Sequence, residues 1–272
     1  MQNLDSNPEK IWSKIPELTI LFWIMKITAT TLGETGGDLL AQTLNVGYAT
    51  STLIFFAFFL IMVTWQLLSK TYIPVIYWAV IVATSTAGTT MSDYMDRTLG
   101  LGYAMGSLIL VSALFIILVT WRLTEKTLSV TNIKSFRGEA FYWTAILISN
   151  TLGTALGDFL ADDSGLGFLG SALLISGVLL LVVLAYFFTK ISRIVLFWIA
   201  FVLTRPFGAT FGDLLTKSHE KGGLDYGTWG ASLILFGLLV ALIIYETIKL
   251  KRNPLLNQKA VNKDWQAMTV NK

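Results

Sequence analysis

The stretch NTLGTALGD, Asn150 to Asp158, closes an otherwise apolar run, and it has three relatives in the same chain. They are TTLGETGGD (Thr30 to Asp38), STAGTTMSD (Ser85 to Asp93) and RPFGATFGD (Arg205 to Asp213). Each copy follows a tryptophan placed fifteen residues before its aspartate: Trp23, Trp78, Trp143 and Trp198. A carboxylate inside an apolar segment is costly, so four at matched positions need one shared reason. Within a membrane that reason is by default an ion or substrate path.

Working outward, the chain is 54% hydrophobic and only 14% charged over 272 residues. Soluble domains carry nearer a quarter charged residues, so this composition indicates a polytopic membrane protein. Eight spans are expected, at 18–40, 48–69, 73–95, 102–123, 140–161, 168–189, 194–215 and 227–249. Each is close to the roughly 20 residues that cross a hydrocarbon core. No cleavable signal peptide is visible, because the first sixteen residues are polar and lead directly into the first span. The absence of cysteine excludes disulfides and thiolate metal sites, and the single His219 excludes a multi-histidine metal site.

The aspartates are 55, 65 and 55 residues apart, so positions 38 and 93 recur at 158 and 213 with a shift of 120. A two-helix unit has been duplicated, and the pair duplicated again. Because each unit crosses twice, all copies enter the bilayer in one sense and are parallel repeats. The expected fold is all-α, with eight transmembrane helices forming four parallel two-helix repeats in two duplicated halves. The divisions are a segment 1–17, a first half 18–123, a loop 124–139, a second half 140–249 and a basic tail 250–272. The four aspartates then lie at one depth, as one ring or two pairs.

Basic residues gather on one side: Lys10, Lys14, Lys70, Arg122, Lys126, Lys134, Arg137, Lys190, Arg193 and the tail from Lys249. The other side holds only Arg97, Lys217 and Lys221. The positive-inside rule puts both termini in the cytoplasm and the aspartates toward the outer face. Fifteen helical residues rise about 22 Å, which places each tryptophan in the cytoplasmic third. Those tryptophans, together with Trp65, Trp121, Tyr186 and Tyr245, are expected to form an interfacial aromatic belt.

Hydroxyls and carboxylates share one face of each odd helix. Thr31, Glu34, Thr35 and Asp38 are three or four apart, as are Thr86, Thr89, Thr90 and Asp93. Thr151, Thr154 and Asp158 repeat this, and Thr210 with Asp213 keeps part of it. The resulting oxygen donor set suits protons or hard cations such as Mn²⁺ or Mg²⁺, with Asp38, Asp93, Asp158 and Asp213 as ligands. The same threonines can instead bond their own helix carbonyls. Gly33, Gly37, Gly88, Gly153, Gly157, Gly208 and Gly212 stand in small-xxx-small pairs that let helix backbones approach closely. Arg205, about 6 Å in depth from Glu34, is expected to pair with Glu34 or an aspartate. Pro206 removes a hydrogen bond to the Val202 carbonyl and is expected to kink the seventh span. Lys26 is expected to snorkel toward the cytoplasm, and the loop carrying His219, Glu220 and Asp225 to be solvated.

The fourfold T-x-G-x-x-x-G-D signature resembles a bacterial family of membrane-anchored proteins built from four copies of a repeat of unknown function. The resemblance spans roughly residues 18–249 and implies an eight-helix inner-membrane protein without an assigned activity. Ser92 for glycine and Arg205-Pro206 for Thr-Thr-type pairs depart from the pattern. The leading function is transport or export of a hard cation, with Glu34 as the coupling carboxylate. Alternatives are proton-coupled transport of a small solute, or a scaffold or sensor whose aspartates cap helix ends. No enzyme is expected, since neither a Gly-x-Ser-x-Gly elbow nor a His-Glu-x-x-His helix occurs. The partners expected are the lipid bilayer and a small ion or solute, with a homo-oligomer left open and no nucleic acid.

Overall fold

The computed structural model describes residues 16–69, 71–130, 133 and 135–252. Eight long helices follow one another: α1 Ile20–Asp38, α2 Tyr48–Leu68, α3 Pro74–Asp93, α4 Gly102–Glu125, α5 Phe136–Asp158, α6 Gly167–Phe188, α7 Arg193–Thr216 and α8 Gly227–Arg252. Among the described residues there is no strand. The expected spans agree with these helices to within a few residues. Seven of the eight are long and apolar enough to cross a membrane. The exception is α1, whose length carries Lys26, Glu34 and Asp38.

The aspartates end helices in a regular way. After Asp38, Asp93 and Asp158 the chain widens into five-residue π turns, Leu39–Thr43, Tyr94–Thr98 and Phe159–Asp163. After Asp213 it stays α-helical to Thr216. Each odd helix then turns back through two left-handed residues spaced two apart: Asn45 and Gly47, Gly100 and Gly102, Gly165 and Gly167, Asp225 and Gly227. The second member is glycine in every repeat, since a side chain disfavours φ near +70°.

The odd helices form a closed inner ring in which α1 touches α3, α3 touches α5, α5 touches α7 and α7 touches α1. The even helices lie outside, each against the odd helix of the next repeat: α2 on α3, α4 on α5, α6 on α7, and α8 back on α1. The circle closes across the two halves, which therefore share one core. Composition explains the layering. The even helices are apolar on all sides and expose Leu53, Ile61, Phe115, Leu181 and Ile234, as lipid contact requires. The odd helices hold the glycines and hydroxyls that permit close, satisfied contact between backbones.

That contact proves the repeats parallel. A Cβ added at Gly33 would lie 2.2 Å from the Ser85 Cβ, and one at Gly37 would lie 2.9 Å from the Thr89 Cβ. Moving four residues along α1 moves four residues along α3 in the same direction. The series continues around the ring, with Gly88 against Thr151, Gly153 against Arg205, and Gly208 against Thr30. Gly157 against Ala209 and Gly212 against Glu34 complete the second tier. The packing role expected for these glycines is the one the structure assigns them.

The aromatic belt is corrected. Trp78, Trp143, Trp198 and Trp121 are buried, and Trp23 is half-buried. They pack with Tyr77 and Tyr142 into an aromatic plug at the end of the ring opposite the aspartates. Tyr77 and Trp143 have ring centroids 5.5 Å apart, and those of Trp121 and Trp198 are 5.7 Å apart. The indole of Trp78 donates to Glu246 at 3.0 Å, and that of Trp198 to the Leu128 carbonyl at 3.1 Å. Polar partners within the protein remove the reason for Trp78 and Trp198 to seek headgroups, while Trp143 is buried among aromatic rings with no acceptor for its indole N–H among the described residues. Trp65, Tyr186 and Tyr245 are exposed as expected. Helix α5 begins at Phe136, four residues ahead of the expected 140, because Ser135 caps it by accepting from the Gly138 amide at 2.8 Å. The segment 1–15 and most of the basic tail lie outside the described residues, as do Lys10, Lys14, Lys70 and Lys134 of the charge argument.

Candidate functional site

Matched positions stack into buried layers along the ring. The aspartates form the first layer, and each is at most 4% exposed. Four residues earlier come Glu34, Thr89, Thr154 and Ala209, and four earlier again Thr30, Ser85, Asn150 and Arg205. The next step gives Lys26, Ile81, Ile146 and Phe201. Thr89 matches Thr154 and Ile81 matches Ile146, but the other members of these three layers differ between repeats in charge or size, so a fourfold frame carries an asymmetric interior.

In the first layer the carboxylates form two pairs, each held by one base. Arg97 places Nε 3.1 Å from Asp93 and Nη2 3.1 Å from Asp158. Lys217 places Nζ 2.6 Å from Asp38 and 3.1 Å from Asp213. Both bases stand four residues after an aspartate, in alternate repeats. At the same position the other repeats have Gln42, which donates to Asp38, and Asp162, which accepts from Tyr103 at 3.3 Å. Arg97 also donates to the Tyr48 hydroxyl at 3.2 Å and lies between the rings of Tyr48 and Tyr103. Burial works against the ammonium of Lys217, but Asp213 and Asp38 together outweigh it and raise its pKa above the ordinary lysine value.

Beneath the aspartates, Arg205 closes the axis. It is fully buried, and both Nη1 and Nη2 donate to one oxygen of Glu34 at 3.0 Å. Nη2 also reaches the hydroxyls of Thr154, at 2.7 Å, and Thr89. One side chain of α7 thus touches α1, α3 and α5. Two small residues make this fit: Ala209 leaves its layer open, and Gly153 passes the arginine stem, since a Cβ there would lie 2.3 Å from Arg205 Cγ. The pairing expected for Arg205 and Glu34 is present. Helix α7 runs through Pro206 as one helix, with the proline ring against Gly153.

Lys26 does not snorkel. It is fully buried, and its ammonium sits 4.0 Å from the centroid of the Phe201 ring. Its place one layer below Arg205, on the inward face of α1, leaves the stem no route to the bundle surface. The threonines Thr31, Thr86, Thr151 and Thr210 also depart from the expected path, because each hydroxyl donates to a carbonyl of its own helix. Thr89 and Thr154 are the hydroxyls that reach the axis. His219, Glu220 and Asp225 are exposed, as expected for a solvated loop.

Among the described residues, the group able to offer metal ligands is Glu34, Asp38 and Asp213, with carboxylate oxygens all within 4.8 Å of one another. These acids come from α1 and α7 alone, so the cluster belongs to one side of the ring. Asp93 and Asp158 are committed to Arg97.

A repeat-family model matches four times, at residues 21–72, 76–127, 141–192 and 196–249, and its description is Repeat of Unknown Function (DUF347). The chain belongs to the DUF347 repeat family. Its four matches coincide with the four helix pairs, each beginning near the start of an odd helix and ending near the close of an even one. No curated protein and no solved structure matches the chain.

Proposed function

We propose that this membrane protein is a carrier for a hard cation of the Mn²⁺ or Mg²⁺ class, bound by Glu34, Asp38 and Asp213 in exchange for the Lys217 ammonium. The observation that carries the proposal is the three-carboxylate cluster with a tethered base inside it. Carboxylate oxygens suit hard cations, and with Arg205 already paired to Glu34 a +2 ion balances the three acids, where one ammonium leaves them one charge short. Lys217 follows the last turn of α7 and has a side chain 19% exposed, so it can swing toward solvent and return. On the opposite side, the Glu34–Arg205 pair and the aromatic plug block the axis. Cation release in that direction requires Arg205 to let go of Glu34. Two barriers in series fit alternating opening rather than a continuous pore.

The membrane sidedness in this proposal follows the basic residues: an inner membrane, both termini cytoplasmic, and Lys217 facing out. The test is ion-by-ion uptake into proteoliposomes by the parent, Asp38→Asn and Asp213→Asn. The parent is expected to move Mn²⁺ or Mg²⁺, and each variant to lose at least tenfold in rate while remaining folded. If the bases serve only to staple helices together, the parent moves no divalent ion and the asparagine variants differ only in melting temperature.

A further inference from the structure

We propose that Gln42 sets the ion specificity of the cluster of Glu34, Asp38 and Asp213, holding Asp38 to one ligand oxygen so that a small octahedral ion is taken in preference to Ca²⁺. The proposal rests on the cation-carrier reading and adds a selectivity that three carboxylates by themselves do not supply. Gln42 Nε2 donates to Asp38 Oδ1 at 2.5 Å. Asp38 Oδ2 accepts from Lys217 Nζ at 2.6 Å, so it is the oxygen vacated when the ammonium leaves. Glu34 is divided in the same manner. Its Oε2 accepts from both Nη atoms of Arg205 at 3.0 Å and from the Thr89 hydroxyl at 3.2 Å, and Oε1 takes part in none of these bonds. Asp213 is 4% exposed, and its Oδ1 lies 3.1 Å from Lys217 Nζ yet accepts no hydrogen bond among the described residues. A buried acceptor in the cluster thus lacks a donor, which points to a ligand other than the ammonium.

Two of the three ligands are therefore pinned with one oxygen free, and Asp213 is the one that can turn to offer both. The protein then supplies about three oxygens, or four at most, and water completes the shell. Mg²⁺ and Mn²⁺ take an octahedron of oxygens, and Mg²⁺ keeps several waters in it. Ca²⁺ takes about 6–8 oxygens and draws on bidentate carboxylates to reach them. The 4.8 Å spread of the acids is that of the ammonium-filled cluster, so it does not choose between ion sizes, and the pinned oxygens do. Residue type matters at this position. Its counterparts in the other repeats are Arg97, Asp162 and Lys217. A base at position 42 would neutralise Asp38 and compete with the ion, and an acid would repel Asp38 or add a ligand. An amide orients the carboxylate and leaves its charge unchanged, as outer-shell partners of metal ligands do.

The experiment titrates Mn²⁺ and Ca²⁺ separately into the full chain in detergent, with and without Gln42→Ala. Lys217 competes with both ions alike, so the ratio of the two dissociation constants reports selectivity. Lys217→Met serves as a second background in which no ammonium competes. Without the Gln42 change, Mn²⁺ is expected to bind about tenfold or more tighter than Ca²⁺. Gln42→Ala is expected to narrow that ratio by about threefold or more, chiefly by tightening Ca²⁺, because Asp38 can then offer both oxygens. A purely structural role would weaken both ions together and keep the ratio. An unchanged ratio in Gln42→Ala, or no preference before it, overturns the role of Gln42 and leaves the cation site standing. Binding of neither ion in either background overturns the cation-carrier reading and this proposal with it. Should Gln42→Ala fail to fold, spin-echo spectroscopy of Mn²⁺ bound to the chain in deuterated water decides. About two or three coordinated waters support the pinned carboxylates, and a different count overturns them.

Discussion

Gly153→Ala adds one methyl group and should nevertheless be among the most damaging small substitutions in the chain. The new Cβ would stand 2.3 Å from Arg205 Cγ, 2.6 Å from Arg205 Cβ and 2.9 Å from Pro206 Cδ. Ordinary carbon contacts need about 3.5–4.0 Å, so the arginine stem must move by more than 1 Å or α5 and α7 must part. Either shift stretches the donors that Arg205 sends to Glu34 and Thr154 at 2.7–3.0 Å. Overpacking alone costs about 1–3 kcal/mol, and each weakened charged hydrogen bond adds about 1.5–3 kcal/mol when lost. A net loss of roughly 3 kcal/mol is expected, which for a chain of this size lowers the melting temperature by roughly 6–12 °C. Gly177→Ala is the control: nothing lies within 4 Å of its added Cβ, and alanine should gain up to about 1 kcal/mol in helix propensity. Thermal melts of both variants in one detergent provide the assay. A Gly153→Ala protein that melts with the parent would refute the close contact and the cyclic register built on it.

Arg97→Met should strand Asp93 and Asp158 and cost about 3–5 kcal/mol, and Asp158→Asn in the same chain should recover part of that loss. A double-mutant cycle measures the coupling, and strict additivity would argue against the clamp. Lys217 has a folded pKa raised above its unfolded value, so its contribution is fully present below the ordinary lysine range, near pH 10.4, and is lost only as pH rises through the higher folded value. The melting difference between the parent and Lys217→Met should therefore be constant from pH 7 to 9. A gap that shrinks in that window contradicts the ion pairs. Glu246→Gln should cost about 1–2 kcal/mol, because the carboxylate accepts from both Trp78 and Tyr72 at 3.0 Å, and unchanged tryptophan fluorescence and melting would count against that lock.

Much of this was legible in the sequence because the repeats constrain one another. Fixed spacing gave the eight helices, their parallel sense and the common depth of the aspartates. The depth of Arg205 narrowed its partner to Glu34 or an aspartate, and the structure selects Glu34. Other features were hidden by local ambiguity. Trp23, Trp78, Trp143 and Trp198 lie in the largely apolar N-terminal halves of the odd helices and Trp121 in an even helix apolar on every side, so periodicity could not separate a lipid-facing ring from a buried one. Thr31 and Glu34 lie on opposite flanks of the line through Asp38, and a helix wheel admits both. The ring selects the four-residue row, which is inclined to the helix axis, and so brings in Glu34, Thr89 and Thr154. Arg97 and Lys217 entered the sequence argument only as charges on one side of a membrane. Their shared position, four residues after an aspartate, was the available sign that they pair with it.

The central claim is that Lys217 and a hard cation compete for Asp38 and Asp213, with Glu34 as the third ligand of the cation. Calorimetric titration of Mn²⁺ into the purified parent, Lys217→Met, and Lys217→Met with Glu34→Gln tests it most directly. Removing the tethered ammonium should tighten binding at least tenfold, to one ion per chain, and removing Glu34 as well should reverse most of that gain. Equal affinity in the parent and Lys217→Met, or no binding in either, would contradict the claim.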